Sequence, residues 1–254
     1  MLCLLYIPTC VSRETFAQLL SLPLEESLRL ATRSKLDITS TIFRNMLDEP
    51  KLSQLLLPFG LELSANQTSQ LLAYLELLMR WNRKINLTAI RSAEECVTRH
   101  FGESLYVSRW LHLEGRLLDV GSGAGFPGLA LKIALPSLAV TLLEPVSKKR
   151  AFLKEAARVC TMDSVEVRGE RLEDFVEVAS PASFETVTSR AVGQLDRLVP
   201  DASRCIVPGG RLCLWLTRDQ ALALPKISPR FSWAKPIPIP LGRESEILVG
   251  TLVD

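Results

Sequence analysis

The sequence has little net charge and lacks the marks of a membrane protein. Its 30 lysines and arginines nearly balance 28 aspartates and glutamates, so charge alone neither favours nor excludes a nucleic-acid partner. No stretch approaches the ~20 uninterrupted apolar residues of a transmembrane helix. The first ten residues lack the basic start of a signal peptide. We therefore expect a cytoplasmic protein with no membrane partner.

Cysteine pairs are also lacking. The six cysteines are scattered and form no C-x-x-C motif, which argues against a disulfide framework and for a reducing compartment. Cys96 and His100 are four residues apart and would share one face of a helix, but no second pair of ligands follows. We therefore expect no bound metal.

From residue 116 onward, strand patterns alternate with helix patterns. Such alternation predicts a mostly parallel sheet with helices on both faces. Pro208-Gly-Gly turns the chain into another apolar strand, and a last strand follows at the end of the sequence. The predicted strands are 116–120, 139–143, 165–167, 184–189, 211–216 and 247–252.

Before residue 115 the sequence predicts helices. Ser64 with Gln67, and Ser92 with Glu95, form capping boxes ahead of apolar residues at helical spacing. The first helix should end near Trp81, and the second should bury an apolar face that includes Trp110. A local basic surface is expected along these helices, from Arg80, Arg83, Lys84, Arg91 and Arg99. We expect a leader (1–50), a helical cap (51–114) and a cofactor-binding domain (115–254).

A glycine-rich loop, Asp119 to Gly128, joins the first predicted strand to a helix. Its glycines let the backbone approach a ligand where a Cβ would collide. The loop contains G-x-G-x-x-G, so its glycines alone fit either a dinucleotide or S-adenosylmethionine. Asp119, two residues before Gly121, gives a D-x-G-x-G-x-G run typical of methyltransferases, and its carboxylate suits the methionine ammonium group.

Glu144 ends the second predicted strand, where a carboxylate can bind both ribose hydroxyls in either cofactor class. The Pro-Gly-Gly segment and the terminal strand resemble the reversed final hairpin of methyltransferase sheets. We therefore predict a Rossmann-like class I methyltransferase that binds S-adenosylmethionine. The expected fold is a mostly parallel seven-stranded sheet with helices on both faces, a reversed C-terminal hairpin and an N-terminal helical cap.

From about Leu52 to the C-terminus the sequence resembles the glucose-inhibited division protein B (RsmG) family of 16S rRNA guanine-N7 methyltransferases. The motifs that carry the resemblance are WNRKINLT (81–88), RHFGESL (99–105), DVGSGAGFPG (119–128), LLEPVSKK (142–149), TSRA (188–191) and PGG (208–210). The family usually has Asp where Glu103 and Glu144 stand, which keeps the charge. Residues before about Lys51 have no counterpart, and one hypothesis is that synthesis begins at Met46.

The resemblance implies methylation of a guanine N7 in the helix 18 loop of 16S rRNA, with the rRNA or the small ribosomal subunit as partner. It also implies cofactor contacts in the loop, with the ribose held by Glu144, and after the third and fourth strands. We expect a monomer. The predicted cofactor-binding residues are Asp119, Gly121, Gly123, Gly125, Phe126, Glu144, Leu172, Glu173 and Arg190.

Guanine N7 carries a lone pair and no proton, so methylation there needs alignment and no general base. The sequence agrees, since it lacks both the Asn/Asp-Pro-Pro-aromatic motif of amine methylation and a Pro-Cys nucleophile motif. Arg190 is the predicted catalytic residue, and we expect Arg190→Ala to abolish transfer and keep the fold. The predicted substrate-binding residues are Trp81, Asn82, Asn86, Arg99 and His100, although Trp81 and His100 equally fit structural roles.

Three other functions remain open at this point. The acceptor of the methyl group is less firmly indicated than the cofactor, so a small molecule or a protein is one alternative. A nicotinamide-dependent oxidoreductase is the second, because its loop shares the glycines. A non-catalytic RNA-binding module is the third, but it leaves the glycine loop without a purpose.

Overall fold

The computed structural model describes residues 47–178, 182–190, 193–242 and 244–253. The leader up to residue 46 and the hypothesis about Met46 lie outside these residues, and so does Ala191 of the TSRA motif. The first described helix, α1 (Glu49–Leu56), begins inside the range predicted as leader. Asp48 caps this helix, because its Oδ1 accepts from the backbone N–H of Lys51 at 2.9 Å.

Two longer helical segments follow α1, and both begin at the capping residues that the sequence predicts. Helix α2 (Ala65–Asn82) has the complete capping box of Ser64 and Gln67. Residues 93–109, here called α3, begin after the N-cap Ser92 and continue without a break. The predicted capping box here is only half formed, because the Ser92 hydroxyl accepts from the Glu95 N–H at 3.3 Å whereas the Glu95 carboxylate pairs with Arg99. The winding of α3 changes along its length, from an α-helix (Ala93–Cys96) to a π-helix (Val97–Gly102), an α-turn (Glu103–Leu105) and a 3₁₀ turn (Tyr106–Arg109).

The prediction that Trp110 lies on the buried face of this helix is wrong. Its side chain is 58% exposed. The helix ends at Arg109, so Trp110 no longer follows the helical spacing that places Val97, Phe101 and Leu105 in the core.

The sheet has the predicted mostly parallel order with antiparallel strands at its C-terminal end, but it has eight strands where seven were predicted. Five parallel strands occupy the positions β3-β2-β1-β4-β5, and β8 runs antiparallel between β5 and β6. A two-residue strand, β7, pairs with β8 away from this path and makes the sheet eight-stranded. The strands are β1 (Arg116–Val120), β2 (Ala139–Leu143), β3 (Val165–Arg168), β4 (Phe184–Arg190), β5 (Ile206–Thr217), β6 (Phe231–Trp233), β7 (Ile237–Pro238) and β8 (Ser245–Leu252).

The Pro208-Gly-Gly segment differs from its prediction as a turn before a strand. It lies inside β5, which already begins at Ile206. The pairing shifts there, because Phe184 of β4 faces Ile206 whereas Thr186 faces Arg211. The extra residues form a bulge, and this bulge accommodates a proline that has no N–H for the sheet.

Helices cover both faces of the sheet. Successive strand residues point to opposite faces, so Leu117 joins one buried cluster and Leu118 the other. Within the described residues, no helix combines the length and the apolar character needed to cross a membrane. The remaining helices are α4 (Gly128–Ala134), α5 (Ser147–Val159), α6 (Leu172–Val178), α7 (Leu195–Cys205) and α8 (Arg218–Ile227).

The helices before β1 share a hydrophobic core with the sheet. Leu71 and Leu78 of α2 belong to the same buried cluster as Leu117 of β1 and Leu142 of β2. Gln67 adds a polar link, because its Nε2 donates to the Ala134 carbonyl at the end of α4 at 2.8 Å. The helices before β1 therefore belong to the core on the face of the sheet that carries Leu117 and Leu142.

Candidate active site

The glycine loop leaves β1 in a conformation that only glycine adopts easily. Gly121, Gly123 and Gly125 have φ angles of 70°, 58° and 88°. The N–H groups of Gly121 and Ser122 each donate to the Leu143 carbonyl at 3.0 Å, which ties the loop to the end of β2. The loop therefore lies at the carboxyl edge of the sheet, where ligands of open α/β folds bind.

Asp119 stabilises the glycine loop through hydrogen bonds of its buried carboxylate. Its side chain is fully buried; Oδ2 accepts from the Gly128 N–H at 3.2 Å, and Oδ1 accepts from the Thr188 hydroxyl at 2.8 Å. Burial raises the pKa of Asp119 to about 6, against the opposing effect of these hydrogen bonds. The carboxylate thus joins β1, β4 and the start of α4.

Glu144 holds the other side of the loop. One carboxylate oxygen accepts from the Gly123 N–H at 2.9 Å, and the other accepts from the Val146 N–H at 2.8 Å. The side chain is buried where β2 ends. Each carboxylate oxygen has two lone pairs, so this arrangement leaves acceptor capacity for a ligand.

A cleft of about 230 Å³ opens beside the glycine loop and the segment that follows β2. It lies at the carboxyl ends of β1 and β2 and is closed on the far side by the starts of α6 and α7. Three of the predicted cofactor-binding residues line it, namely Gly121, Leu172 and Glu173. Leu143 and Leu198 add apolar surface, which suits a flat ring.

Phe126 lies in a separate, aromatic group. Its ring is stacked between Tyr74 of α2, with centroids 5.4 Å apart, and His100 of α3, with centroids 4.8 Å apart. Phe101 meets it edge-to-face at 5.1 Å. The Tyr74 hydroxyl also donates to the Ala124 carbonyl. Helices α2 and α3 therefore pack against the glycine loop through these aromatic side chains.

Arg190, at the end of β4, reaches across to α3. Its guanidinium donates to the Glu103 carboxylate at 2.7 Å, to the Arg99 carbonyl at 2.6 Å and to the Ser104 hydroxyl at 3.2 Å. Burial lowers the pKa of Arg190, and the Glu103 carboxylate opposes that shift. Val120 of β1 and Ser189 of β4 are neighbours in register, so Arg190 follows at the same sheet edge as the glycine loop.

His100 is neutral at physiological pH. Burial, assisted by the charges of Arg190 and Arg99, lowers the pKa of His100 to about 3. Its Nε2 lies 2.7 Å from the Thr88 hydroxyl oxygen. Within the described part of the chain, the buried Nδ1 of His100 has no hydrogen-bond partner.

The remaining predicted substrate-binding residues occupy different environments. Trp81 packs edge-to-face against Phe152, with centroids 5.7 Å apart, and is only partly exposed. Asn82 is buried and closes the next turn, since its Oδ1 accepts from the Leu87 N–H at 2.9 Å and from the Thr88 N–H. Asn86 is exposed. Arg99 is 40% exposed at its side chain.

The described residues contain no group of three or more histidine, cysteine or acidic side chains placed to hold a metal ion. The Cys96 thiol is buried 3.9 Å from the Met79 sulfur. Burial raises the pKa of Cys96 to about 12, so this thiol is uncharged.

Comparison with known proteins bears on the identity of this site. The model of the family described as rRNA small subunit methyltransferase G matches residues 67–221, more than half of the chain. The chain belongs to that family. A relative named ribosomal RNA small subunit methyltransferase G, from Chloroflexus aggregans, is 40% identical over 200 residues, covering 75% of this chain and 84% of the relative.

A second protein of the same name, from Halorhodospira halophila, is 43% identical over 152 residues, which are 60% of this chain and 70% of that one. Among solved structures, a ribosomal protein L11 methylase from Lactobacillus delbrueckii subsp. bulgaricus gives a TM-score of 0.51 at 12% identity, covering 62% of this chain and 80% of that one. This last likeness concerns the fold alone.

Membership of the rRNA small subunit methyltransferase G family decides between the functions that the glycine loop left open. The chain is an rRNA methyltransferase, and the expected family, fold class and enzyme class are confirmed. The oxidoreductase and the non-catalytic module are no longer needed to explain the loop. The individual site residues stay predictions.

The sequence did not point to several residues that shape this methyltransferase site. Tyr74 lies in an apolar helical run, and nothing in that run indicates that its hydroxyl meets Ala124, fifty residues on. The sequence marked Glu103 only as a motif position; its place four residues after Arg99 on a predicted helix favours an ion pair, which the structure shows at 3.1 Å. Arg197 of α7 lines the cleft without any sequence signal.

Asp119→Asn is expected to remove a pH dependence from the stability of this methyltransferase. The pKa of Asp119 rises from 3.8 to about 6 on folding, so between these values the folded protein holds a proton that the unfolded chain has lost. Protonated Asp119 therefore contributes fully to the free energy of unfolding below pH ~4. This contribution, about 3 kcal/mol, is lost as the pH rises through 6. Urea unfolding of both proteins at about pH 4 and about pH 7 measures this effect.

The expected outcome is that the variant gains stability over the wild type as the pH rises. Asp174→Asn, which changes an exposed carboxylate on α6, is the matched control. A constant difference between wild type and Asp119→Asn across this range would show that the buried carboxyl does not titrate there.

Proposed function

We propose that this chain transfers a methyl group from S-adenosylmethionine to the N7 of a guanine in the helix 18 loop of 16S rRNA. The observation that carries the proposal is Arg190, held at the carboxyl edge of the sheet beside the glycine loop. A guanidinium group is a natural donor to the N7 and O6 of guanine. Arg190 is therefore our candidate for the catalytic residue that organises cofactor and base.

The chemistry around Arg190 suits an acceptor that has no proton to lose. Glu103, the carboxylate next to Arg190, already accepts hydrogen bonds from the guanidinium groups of Arg99 and Arg190. His100, with its pKa near 3, is too weak a base to take a proton at neutral pH. Alignment of donor and acceptor is then the main task of the protein, as methylation at a bare nitrogen lone pair requires.

The lining of the cleft supports S-adenosylmethionine as its ligand, because apolar side chains lie beside acidic ones there. When bound, this cofactor supplies an electrophilic methyl group on a sulfonium. Glu144, which stands between the lining residues Leu143 and Pro145, would accept hydrogen bonds from the ribose, while Leu172 and Leu198 would contact the adenine. The remaining predicted contacts come from the loop (Asp119, Gly121, Gly123, Gly125 and Phe126), the start of α6 (Glu173) and the end of β4 (Arg190).

Glu144→Gln is expected to weaken S-adenosylmethionine binding by roughly 10- to 100-fold, because hydrogen bonds to a charged acceptor contribute about 1.5–3 kcal/mol. Calorimetric titration with S-adenosylmethionine measures the change, and titration with NAD should give no heat of binding. Glu166→Gln, which alters an exposed carboxylate of β3 outside the lining of the cleft, is the matched control. Wild-type affinity in Glu144→Gln would remove Glu144 from the cofactor site.

We place the rRNA contact on the basic surface of α2, α3 and the turn between them. Arg83, Lys84 and Arg91 are exposed there. Asn86 and Arg99 would contact the RNA directly, and Trp81, Asn82 and His100 would shape the rim of the site. Positive charge supplies most of the affinity for a phosphate backbone, so binding should weaken steeply with salt.

Identification of the product tests the proposal. The full chain is incubated with methyl-labelled S-adenosylmethionine and with either small ribosomal subunits or naked 16S rRNA, and the modified nucleoside is identified. We expect 7-methylguanosine. Another modified nucleoside, or transfer only to a protein or small molecule, would contradict the proposal.

We further propose that the chain acts as a metal-free monomer in the cytoplasm, with the leader, cap and cofactor-binding domain divided at residues 50 and 114. Its relationship to rRNA methyltransferases supports the compartment, since ribosomal RNA is the substrate class. Light scattering of the purified protein and elemental analysis test the assembly and the metal content.

A further inference from the structure

We propose that Glu103 is a positioning residue, which acts on the reaction by holding Arg190. The proposal rests on the proposed role of Arg190 at the cofactor and the base. Glu103 lies in α3, at the first position after the π-helical segment. Only 3% of its side chain is exposed, although it carries a carboxylate.

Both oxygens of this buried carboxylate are used. Oε2 accepts from Arg190 Nη2 at 2.7 Å, and Oε1 accepts from Arg99 Nε at 3.1 Å. A buried charge is costly unless it is paired and hydrogen-bonded, so the three side chains form one unit. The Glu103 carboxylate therefore restrains two guanidinium groups: that of Arg190 at the edge of the sheet, and that of Arg99, which is partly exposed.

The backbone of Glu103 is also fixed. The indole N–H of Trp215, from β5, donates to the Glu103 carbonyl at 2.8 Å. Trp215 is a direct neighbour of Arg190 across the β4–β5 ladder. The sheet thus sets the position of Glu103 independently of the ion pair, and Glu103 in turn sets the position of Arg190.

The other contacts of Arg190 are neutral and come from the same helix. They are the Arg99 carbonyl, the His100 carbonyl at 3.5 Å and the Ser104 hydroxyl. Both carbonyls belong to the π-helical turns, a winding that often marks functional sites. Among the described residues, Glu103 is the one carboxylate hydrogen-bonded to Arg190.

Loss of this negative charge should therefore misplace the guanidinium of Arg190. Neutral carbonyl and hydroxyl acceptors hold a cation less tightly than a carboxylate does. Displacement of a reacting or orienting group by about 1 Å can cost on the order of 10²-fold in rate. We expect Glu103→Gln to lower the kcat of methyl transfer by roughly 10- to 100-fold.

The matched control is Glu95→Gln. Glu95 lies in the same helix and pairs with Arg99 at 3.7 Å, but it is half exposed and makes no contact with Arg190. A rate close to that of the wild type is expected for this variant. If Glu95→Gln lowers kcat as much as Glu103→Gln does, the effect belongs to Arg99 or to overall charge, and the proposal is wrong.

A double-mutant cycle with Arg190→Gln separates positioning from a purely structural role. If Glu103 acts through Arg190, Glu103→Gln lowers the rate in the wild-type background and has no further effect in the Arg190→Gln background. Equal losses in both backgrounds would overturn the proposal. If Glu103→Gln fails to fold, Glu103→Met, a neutral side chain of similar length, takes its place in the cycle, and the same two outcomes apply. Glu103→Asp keeps the carboxylate and should retain most of the rate, so a loss in Glu103→Asp as large as in Glu103→Gln would count against the proposal.

The cycle is repeated with the dissociation constant of S-adenosylmethionine as a readout that needs no RNA. Arg190→Gln should raise this constant, and Glu103→Gln should raise it only while Arg190 is present. No effect of Glu103→Gln on this constant while Arg190 is present counts against the positioning role. Absence of methyl transfer by the wild type would instead contradict the proposed function.

Discussion

Arg190→Lys is expected to leave a folded protein that transfers methyl groups about 10²-fold more slowly, because lysine keeps the charge but cannot reproduce a planar, multiply donating guanidinium. Arg190 donates to a carboxylate, two carbonyls and a hydroxyl at once, whereas a lysine has one ammonium to share. Initial rates with labelled S-adenosylmethionine and small ribosomal subunits measure the loss.

The matched control is Arg204→Lys. Arg204 is also paired with a carboxylate, that of Glu177 at 2.8 Å, but the two side chains are 46% and 67% exposed. Surface pairs contribute little, so this variant should behave as the wild type does. Wild-type turnover in Arg190→Lys would remove Arg190 from the catalytic machinery.

Lysine is a better test than alanine for a structural reason. From the sequence, Arg190→Ala was expected to keep the fold. The structure changes that expectation, because alanine would leave the Glu103 carboxylate buried with Arg99 as its remaining ion-pair partner. Loss of one partner of a buried pair costs on the order of 3 kcal/mol, so a loss of activity in Arg190→Ala would mix catalysis with unfolding.

Local signals explain why the fold could be predicted. Ser64 with Gln67 marks the start of a helix through bonds that span three residues, and the structure contains both of them. The strands that lead to the glycine loop and to Glu144 are short apolar runs ending in a characteristic residue. Features of this kind depend on neighbours in the sequence.

Tertiary contacts explain what could not be predicted. The bulge at Pro208 depends on pairing between β4 and β5. The capping box of Thr217 and Gln220 that opens α8 is instead a local signal that the prediction missed. In the candidate site, motif order pointed to Arg190 and Phe126. It could not show that Arg190 meets Glu103, 87 positions earlier.

Gly125→Ala is expected to destabilise the protein before any cofactor binds. Gly125 has a φ angle of 88°, and a Cβ added there would collide with the Tyr74 hydroxyl and approach the Leu129 side chain within 2.8 Å. The unfavourable backbone conformation and the overpacking together should lower the free energy of unfolding by about 2–5 kcal/mol. Thermal denaturation without cofactor, followed by circular dichroism, measures the effect.

Gly123→Ala is the matched control within the same loop. Its φ angle of 58° lies in the left-handed region that non-glycine residues visit, and a Cβ added there would meet no heavy atom closer than 3.8 Å. A loss of about 1–2 kcal/mol is expected in this variant. Equal melting temperatures for the two variants would show that the collision with Tyr74 does not affect stability. The larger loss in Gly125→Ala would show instead that α2 and the loop are packed against each other in the free protein, so that the cofactor site is built before the cofactor arrives.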